Sequence, residues 1–292
     1  MIAPREFDIN ADTITTNSFQ KIATSPSDLA FKAHVEFDQY VEILIKNNVR
    51  VHVFEGMSDC YSPDRIYPNN WISFHPECTI LYPMQPMNRR SERCQPVFDC
   101  IPEKYRQRSI LDWTHYERED KFLEGTGSLV LDRKNSIAFA ALSPRTNESL
   151  VKKWCERMEY DPLVFMAYAP KTNTPVYHTN VVMSILENHL IIGWDCISDE
   201  GIKASFLKYA ERFNKSIVVL SSEQISEFAA NILEFKDVSG SSCIAISIRA
   251  LRSLSPEQLR VLEKAGNIIP VNLDYIERFG GGSARCMLTE LF

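Results

Sequence analysis

Apolar and polar positions along the chain follow an order that recurs several times. In its clearest copy, apolar runs at 128–132 and 136–140 flank the polar residues 133–135, which predicts a strand, a turn and a second strand. The stretch 148–158 is typical of a helix, and the apolar run 163–168 predicts a further strand. The pattern therefore predicts a unit in which two strands are followed by a helix and a third strand.

Further copies of this unit can be traced along the chain. In the last copy, Ser255 followed by Pro256 indicates where the helix begins, because serine caps a helix and proline fits its first position. The other predicted segments are strands at 181–186, 189–194 and 216–220 with a helix at 199–213; strands at 231–235, 242–248 and 267–271; strands at 71–74 and 79–82 with a poorly marked helix; and a helix at 28–46 with a strand at 50–54.

About five such ββαβ units, each of ~50–60 residues, account for the chain. A single unit leaves an apolar face uncovered, and a few copies bury these faces by closing into a ring. No long linker or low-complexity segment divides the sequence. The sequence therefore predicts an α/β fold of similar units in a single domain over residues 1–292.

Composition and charge exclude several classes of protein. The net charge of −6 over 292 residues argues against a nucleic-acid partner, because phosphate binding needs a basic surface. No apolar run approaches the ~20 residues of a membrane span, and residues 1–10 lack a signal pattern, so we expect a cytoplasmic protein without membrane association. The eight cysteines include no CxxC pair and no zinc spacing, so we expect mostly buried, reduced thiols.

Residues suited to catalysis lie at equivalent places, where the predicted hairpins begin. They are Asn69 and Asn70 before one hairpin, Glu124 before the next, His178 and Asn180 before a third, and Asn231 at the start of a fourth. In a ring of units these places meet at one central opening. Each residue alone also has a structural explanation, as a turn residue or a core side chain, and only the combination indicates a site.

A glycine-rich turn near the C-terminus supplies a candidate nucleophile. Gly280, Gly281 and Gly282 accept positive φ angles and allow the backbone to approach a ligand closely. Cys286 follows this turn, and a thiol delivered into a pocket in this way suits nucleophilic catalysis. A lone cysteine among eight is more often a small buried side chain, so the turn strengthens the prediction.

At these residues the sequence resembles the guanidine-modifying (pentein) superfamily, which includes arginine deiminases, dimethylarginine dimethylaminohydrolases and amidinotransferases. The resemblance covers nearly the whole chain, and within the superfamily it is most similar to the citrulline-utilisation hydrolases, or citrulline ureidases. It implies a five-bladed α/β propeller of ββαβ units with pseudo-five-fold symmetry. The motifs that carry it are Pro63-Asp64-Arg65-Ile66-Tyr67-Pro68-Asn69-Asn70-Trp71, Asn88-Arg89-Arg90-Ser91-Glu92-Arg93, Leu123-Glu124-Gly125-Thr126-Gly127, Ser143-Pro144-Arg145-Thr146, His178-Thr179-Asn180 and Gly281-Gly282-Ser283-Ala284-Arg285-Cys286.

The resemblance implies a role for each matched residue. Cys286 matches the nucleophile, His178 the general acid and base, and Glu124 the carboxylate that binds the reacting head group and orients the histidine. The substrate-binding matches are Asp64, Asn69, Asn70, Asn180 and Arg145, the last as the arginine that holds the α-carboxylate, with Arg89 or Arg90 as further candidates for that role. Neither a cofactor nor a metal is implied.

Two asparagines distinguish this chain from the arginine deiminases, which carry aspartates at the positions of Asn70 and Asn180. A guanidinium is a cation that presents only donors, whereas a ureido group is neutral and also presents a carbonyl acceptor. Replacing both carboxylates by amides therefore favours citrulline over arginine. The sequence predicts a hydrolase of linear C–N bonds that converts citrulline to ornithine, ammonia and carbon dioxide through a covalent Cys286 intermediate.

Other functions stay open at this stage. Glu124 and Asp64 could balance a cation, which leaves hydrolysis of arginine or a methylated arginine, or amidinotransfer, as alternatives. Less favoured is a non-catalytic protein of the same fold, comparable to translation initiation factor six, or a simple amino-acid-binding protein. We expect a small amino-acid substrate as the partner, leave a homo-oligomer open, and expect the stretches 57–66 and 84–104 to cover the site.

Overall fold

Four small sheets of identical topology form the framework of the protein. The computed structural model describes residues 1–20, 26–55, 62–170 and 172–291. In each of the four three-stranded sheets in these ranges, the first strand pairs antiparallel with the second, which pairs parallel with the third. The strands are β1 (Ile72–Phe74), β2 (Cys78–Leu81), β3 (Ser109–Asp112), β4 (Val130–Asp132), β5 (Ile137–Ala141), β6 (Asp161–Phe165), β7 (Met183–Ile185), β8 (His189–Gly193), β9 (Ser216–Leu220), β10 (Leu233–Lys236), β11 (Ser242–Ser247) and β12 (Asn267–Val271).

Helices join the second and third strands of each sheet, because two parallel strands need a crossover connection. The α-helices are α1 (Leu29–Lys46), α2 (Gln95–Cys100), α3 (Glu103–Arg106), α4 (Gly125–Ser128), α5 (Glu148–Met158), α6 (Glu200–Arg212), α7 (Ser222–Ser226), α8 (Ile248–Ser253) and α9 (Pro256–Ala265). The chain also forms 3₁₀ turns at Pro68–Asn70, Met87–Glu92, Thr114–Glu119, Thr179–Val181, Trp194–Cys196 and Ala284–Met287, and a π-helical turn at Ile276–Gly280.

Local capping explains why several predicted boundaries agree with the structure. The Asn147 side chain accepts hydrogen bonds from the backbone of Ser149 and Leu150, so α5 begins where the sequence predicts. Ser255 and Gln258 form a reciprocal capping box at the start of α9. The strands β9 and β12 also have the predicted bounds.

Other boundaries differ because tertiary pairing overrides the local pattern. The third strand of the second sheet covers Asp161–Phe165 instead of 163–168, since Asp161 pairs in register with Ile137. The first strand of that sheet begins at Val130, because residues 125–128 form the helical turn α4. In the first sheet, two short helices, α2 and α3, stand where one poorly marked helix was predicted.

The expected fifth unit is only partly formed. The helix α1 is present and packs its buried face, including Phe37, Tyr40 and Leu44, into the core cluster that contains Ile269 and Val271 of β12. Among the residues that the structure describes, the predicted strand at 50–54 joins no sheet, and its Phe54 makes an isolated parallel bridge with Ile2. Strand pairing within the described ranges thus confirms four ββαβ units and does not confirm a five-bladed propeller.

The state of the cysteines agrees only in part with the prediction. The free cysteines are buried, as predicted for small apolar side chains: Cys78, Cys155, Cys196, Cys243 and Cys286. Cys94 is disulfide-bonded and so departs from the expected set of reduced thiols. Cys60 lies outside the described residues. None of the helices in the described part combines the length and apolarity needed to cross a bilayer.

Candidate active site

Short turns in front of the hairpins bring the predicted residues into the protein interior. Asn69 and Asn70 lie on the turn Pro68–Asn70 before β1, and Glu124 occupies the position directly before α4, ahead of β4. His178 and Asn180 lie at the turn Thr179–Val181 before β7. Cys286 lies on the turn Ala284–Met287 that follows the glycine loop. The side chains at all these positions are buried.

Glu124 and His178 form a direct pair. The Nε2 atom of His178 lies 2.8 Å from Oε2 of Glu124, and Nη1 of Arg145 lies 3.6 Å from the same oxygen. The other carboxylate oxygen accepts a hydrogen bond of 3.0 Å from the backbone N–H of Gln85. These contacts hold the glutamate in one orientation and join three residues that the sequence placed in the site.

The electrostatics of this pair determine the protonation of the histidine. Burial by itself would raise the pKa of Glu124, but Arg145 and His178 outweigh it and lower the pKa to about 2. Burial lowers the pKa of His178 to about 4, despite the opposing effect of Glu124. An ionised carboxylate only accepts, so Nε2 of the neutral ring carries the proton and donates it. Nδ1 is then left as an acceptor.

Gly127 allows the histidine to approach Asn70. A Cβ atom added at Gly127 would lie 2.7 Å from Nδ1 of His178 and 2.7 Å from Nδ2 of Asn70. Neither contact is sterically acceptable, so only glycine permits this arrangement. The basic nitrogen of the histidine and the amide of Asn70 consequently lie on the same side of α4.

Neutral amides surround the thiol of Cys286. Its sulfur lies 3.3 Å from Nδ2 of Asn231 and 3.7 Å from Nδ2 of Asn180. Burial raises the pKa of this thiol, although hydrogen bonds from Ser283, Asn231 and Asn180 and the charge of Arg285 act in the opposite direction. The thiol is therefore protonated at neutral pH.

Asn231 is a site residue to which the sequence assigned no role. Its Nδ2 also lies 2.9 Å from the carbonyl of Asn180, and its Oδ1 accepts from the backbone N–H of Arg285. The amide thus connects two turns of the candidate site directly beside the Cys286 thiol. The sequence did contain a signal for Asn231. This residue stands at the start of the fourth predicted hairpin, at a position equivalent to those of the other candidate residues.

The two adjacent arginines have different surroundings. Arg89 is buried and forms a two-point pair with Glu92 at 2.8 and 3.0 Å, while its Nη1 donates to Oδ1 of Asn70 at 2.6 Å. Burial lowers the pKa of Arg89, but Glu92 more than offsets this and raises it above the usual value. Arg90 is partly exposed and donates to the carbonyls of Met84 and Gln85. Arg89 therefore holds Asn70 in place, and both arginines are already engaged.

Several buried polar atoms near Glu124 have no hydrogen-bond partner among the described residues. They are Oδ1 of Asp64, Nδ2 of Asn69, Nε of Arg145 and Oε1 of Gln85. The other oxygen of Asp64 accepts from Asn10 at 2.7 Å, and burial raises the pKa of this carboxyl group. Buried polar atoms normally find partners, so this mixed set of donors and acceptors suits a polar ligand.

The glycine turn has the predicted backbone conformation at one position. Gly281 has φ +66°, and a Cβ atom there would lie 2.5 Å from Nδ2 of Asn17. The Gly281 carbonyl accepts from the hydroxyl of Tyr177 at 2.6 Å, and its N–H donates to the carbonyl of Glu277. This N–H is therefore already engaged within the protein.

Residues 10–20 cover the site, which the sequence did not predict. Asn10 donates to Asp64, Arg145 donates to Thr16 at 2.7 Å, and Gln20 donates to the carbonyl of Phe279 at 2.8 Å. Of the expected covering stretches, 84–104 contributes Asn88, which donates to Asn10 at 2.7 Å. The stretch 57–66 lies partly outside the described residues. The described chain contains no group of three or more His, Cys, Asp and Glu side chains suited to a metal ion.

Comparison with known proteins identifies the family of this chain. A family model described as N,N-dimethylarginine dimethylhydrolase, eukaryotic, matches residues 3–292. None of the curated proteins matches the chain. The match and the solved relatives define a protein of the guanidine-modifying (pentein) superfamily, as the resemblance predicted. The chain belongs to the eukaryotic N,N-dimethylarginine dimethylhydrolase family, and it is a hydrolase that acts on a C–N bond.

Solved structures share the fold at low sequence identity. The substrate-bound N-terminal domain of ArgZ, an arginine dihydrolase of the cyanobacterial ornithine–ammonia cycle, has a TM-score of 0.73 at 14% identity and covers 100% of this chain and 97% of its own. An AgrE variant with L-arginine has a TM-score of 0.75 at 15% identity, with 100% of this chain matching 40% of that one. A dimethylarginine dimethylaminohydrolase adduct with S-methyl-L-thiocitrulline has a TM-score of 0.64 at 15% identity and covers 98% and 96% of the two chains.

Proposed function

We propose that this protein hydrolyses the ureido group of L-citrulline to give ornithine, ammonia and carbon dioxide. The observation that carries the proposal is the ring of neutral amides, Asn70, Asn180 and Asn231, around the buried thiol and the histidine. A guanidinium would need carboxylates at those places to offset the loss of hydration. A ureido group offers a carbonyl acceptor and N–H donors, and amides supply partners for both.

The catalytic sequence begins from a neutral thiol and a neutral histidine. Nδ1 of His178 takes the thiol proton of Cys286, and the thiolate attacks the ureido carbon, so that an S–C bond forms and the C=O electron pair moves to oxygen. Amide donors of Asn180 and Asn70 stabilise the resulting oxyanion. The paired Glu124 stabilises the imidazolium that appears during this step.

Collapse of the tetrahedral adduct expels an amine, which takes its proton from His178 and leaves a thioester of carbamic acid on Cys286. Water then attacks the thioester carbon and gives a proton to His178, and the departing Cys286 sulfur receives that proton. The carbamate so formed decomposes to carbon dioxide and the remaining amine. Either the ornithine δ-amine or ammonia leaves first, and the products are the same.

The unpartnered atoms of Arg145 and Asp64 support an α-amino acid as the substrate. Nε of Arg145 is a buried donor suited to the α-carboxylate, and Oδ1 of Asp64 is a buried acceptor suited to the α-ammonium. Arg145 also contacts Glu124 and Thr16, but its Nε keeps no partner among the described residues, whereas Nε, Nη1 and Nη2 of Arg89 all donate to protein acceptors. Arg145 is therefore the better candidate for the carboxylate. The crystal structures of AgrE with L-arginine and with ornithine and NAD⁺ concern amino acids of the same size.

Hydrolysis of a guanidino substrate is the second candidate, favoured by two buried carboxylates. Glu124 stays ionised, and Asp64 has an unpartnered oxygen, so the site retains negative charge that a guanidinium could use. The arginine dihydrolases among the solved relatives, and the family match, point to arginine and to dimethylarginine as test substrates. An enzyme that hydrolysed arginine in two steps would form citrulline in the first step. Its second step would be the hydrolysis of the ureido group described above.

Product analysis with L-citrulline, L-arginine and N,N-dimethyl-L-arginine separates these functions. Ornithine from citrulline, with neither guanidino substrate consumed, is the expected result. Ornithine from arginine would indicate a dihydrolase, and accumulation of citrulline from either guanidino compound would overturn the proposal. The Cys286→Ala protein should be inactive on every substrate, whereas Cys243→Ala, which removes a buried thiol elsewhere, should retain activity. The double variant Asn70→Asp, Asn180→Asp should lose citrulline turnover.

A further inference from the structure

A large cavity lies beside the candidate active site but is separate from it. Its volume is about 1090 Å³, and it is lined by residues from the first strand of each sheet and by residues 49–54. Pro68, Thr126 and Arg285 belong to its lining, whereas Glu124, His178 and Cys286 do not. The cavity and the site are therefore neighbours, because Arg285 directly precedes Cys286 in the sequence.

Arg285 is a buried cation whose side chain forms no hydrogen bond or ion pair with the described residues, although the charge of Glu290 acts on it. Its side chain has 7% relative exposure, and its Nε has no hydrogen-bond partner among the described residues. Burial lowers the pKa of Arg285, which shows that its surroundings compensate the charge poorly. Nearby, Arg133 also lines the cavity and lies 3.9 Å from Glu290, so two guanidinium groups share one carboxylate at this end.

Two further buried donors line the same cavity. Nε1 of Trp71 and Oγ1 of Thr289 also lack hydrogen-bond partners within the described residues. Other cations of the lining have carboxylate partners, as in the ion pairs of Lys215 with Asp132 at 3.1 Å and of Lys134 with Glu187 at 3.7 Å. The unmatched charge is thus positive and the unmatched polar atoms are donors, a combination that suits the several acceptor lone pairs of an oxyanion.

We infer that the cavity contains a second binding site, in which Arg285, Trp71 and Thr289 hold the oxyanion of a small molecule. The recognised group is a carboxylate or a phosphate, since both present planar or tetrahedral oxygens to a guanidinium. This site is distinct from the one that receives the amino-acid substrate, and it does not depend on which substrate is turned over.

Calorimetric titration of the full chain with inorganic phosphate and, separately, with acetate tests this inference. Ionic strength is held constant with potassium chloride, so general screening does not contribute. We expect saturable binding of at least one anion, weakened about tenfold or more by Arg285→Gln and several-fold by Thr289→Val, because each removes a donor to a charged group. The stronger of the two anions identifies the source of the oxyanion.

Two controls distinguish this cavity from the active site and from general charge effects. Arg145→Gln removes a guanidinium from the active site, and Lys134→Gln removes an exposed cation that also lines the cavity. Binding should be retained in both variants. Absence of saturable binding by both anions, or equal loss in Arg145→Gln and Arg285→Gln, would overturn the inference. If Arg285→Gln does not fold, Thr289→Val and Trp71→Phe decide the question on the same criteria.

Discussion

The two halves of the candidate site differ in charge. The half around Glu124 contains an ionised carboxylate, a histidine and Arg145 in direct contact. The half around Cys286 contains the amides of Asn180 and Asn231, and no charged side chain forms a hydrogen bond or ion pair with the sulfur in the described chain. The charged half determines where the proton lies, whereas the neutral half leaves the thiol protonated until a substrate arrives.

The largest effect on activity should come from the charged half. In Glu124→Gln the amide can no longer stabilise the imidazolium, so kcat/KM for L-citrulline should fall about 10³- to 10⁴-fold. Glu117→Gln is the matched control, because Glu117 also accepts from a backbone N–H, that of Met84, and pairs with an arginine outside the site. Glu117→Gln should stay within a few-fold. A Glu124→Gln enzyme within tenfold of the parent would contradict the assigned role.

A smaller effect should come from adding charge to the neutral half. Asn231→Asp preserves the shape of the side chain but places a carboxylate next to the sulfur, which raises the thiol pKa further. Activity at neutral pH should fall about tenfold, and alkylation of Cys286 by iodoacetamide, followed by peptide mass spectrometry, should need a higher pH. Asn188→Asp in the exposed β7–β8 turn serves as the control. An unchanged alkylation profile would remove Asn231 from the environment of the thiol.

The smallest effect on activity should come from Glu36, which supports the turn leading to Cys286. Its buried carboxylate accepts from the backbone N–H groups of Tyr275 and Ile276, and burial raises its pKa from 4.5 to about 7 despite these bonds. A raised folded-state pKa contributes stability that is complete below pH 4.5 and is lost as the pH rises through about 7. Between these values its contribution to the free energy of unfolding should fall by a few kcal/mol.

Glu36→Gln should remove the part of the pH dependence of the free energy of unfolding that Glu36 contributes. Urea unfolding at several pH values measures this slope. The exposed Glu42→Gln on the same helix should leave that slope in place. Glu277, whose buried carboxyl also has a pKa raised to about 6, interacts with Glu36, so the two variants differ by the contribution of Glu36 together with its coupling to Glu277. If the free energy of unfolding depended on pH in the same way in both variants, Glu36 would not titrate in this range. Activity at neutral pH should change by no more than a few-fold.

Prediction from sequence succeeded where a few neighbouring residues decide the outcome. The starts of α5 and α9 were predictable because Asn147 and Ser255 cap them directly. The fifth unit was harder, since residues 50–54 resemble a strand but, among the described residues, form one isolated bridge with the segment 1–3 instead of a ladder. A strand is stabilised by pairing with a neighbouring strand, and the local sequence pattern does not show which segment will pair with it.

In the candidate site, too, some features were predictable from the sequence and others depend on contacts between distant segments. The likeness to a known family singled out Cys286, His178 and Glu124, and the structure places each in the interior, where the last two are in contact. It did not reveal that Arg89 is engaged with Glu92 and Asn70, or that residues 10–20 cover the site. These contacts join segments far apart along the chain, so no short motif records them.

The sequence by itself determined the order of strands and helices, the family and the residue types available for chemistry. Alternation, capping and motif spacing act over a few positions, and they are legible without the fold. Only the tertiary structure decided that His178 is neutral, that the Cys286 thiol is protonated and that Arg285 lies buried beside a separate cavity. Protonation and charge compensation depend on burial and on neighbours brought together from distant segments, and these exist only once the chain has folded.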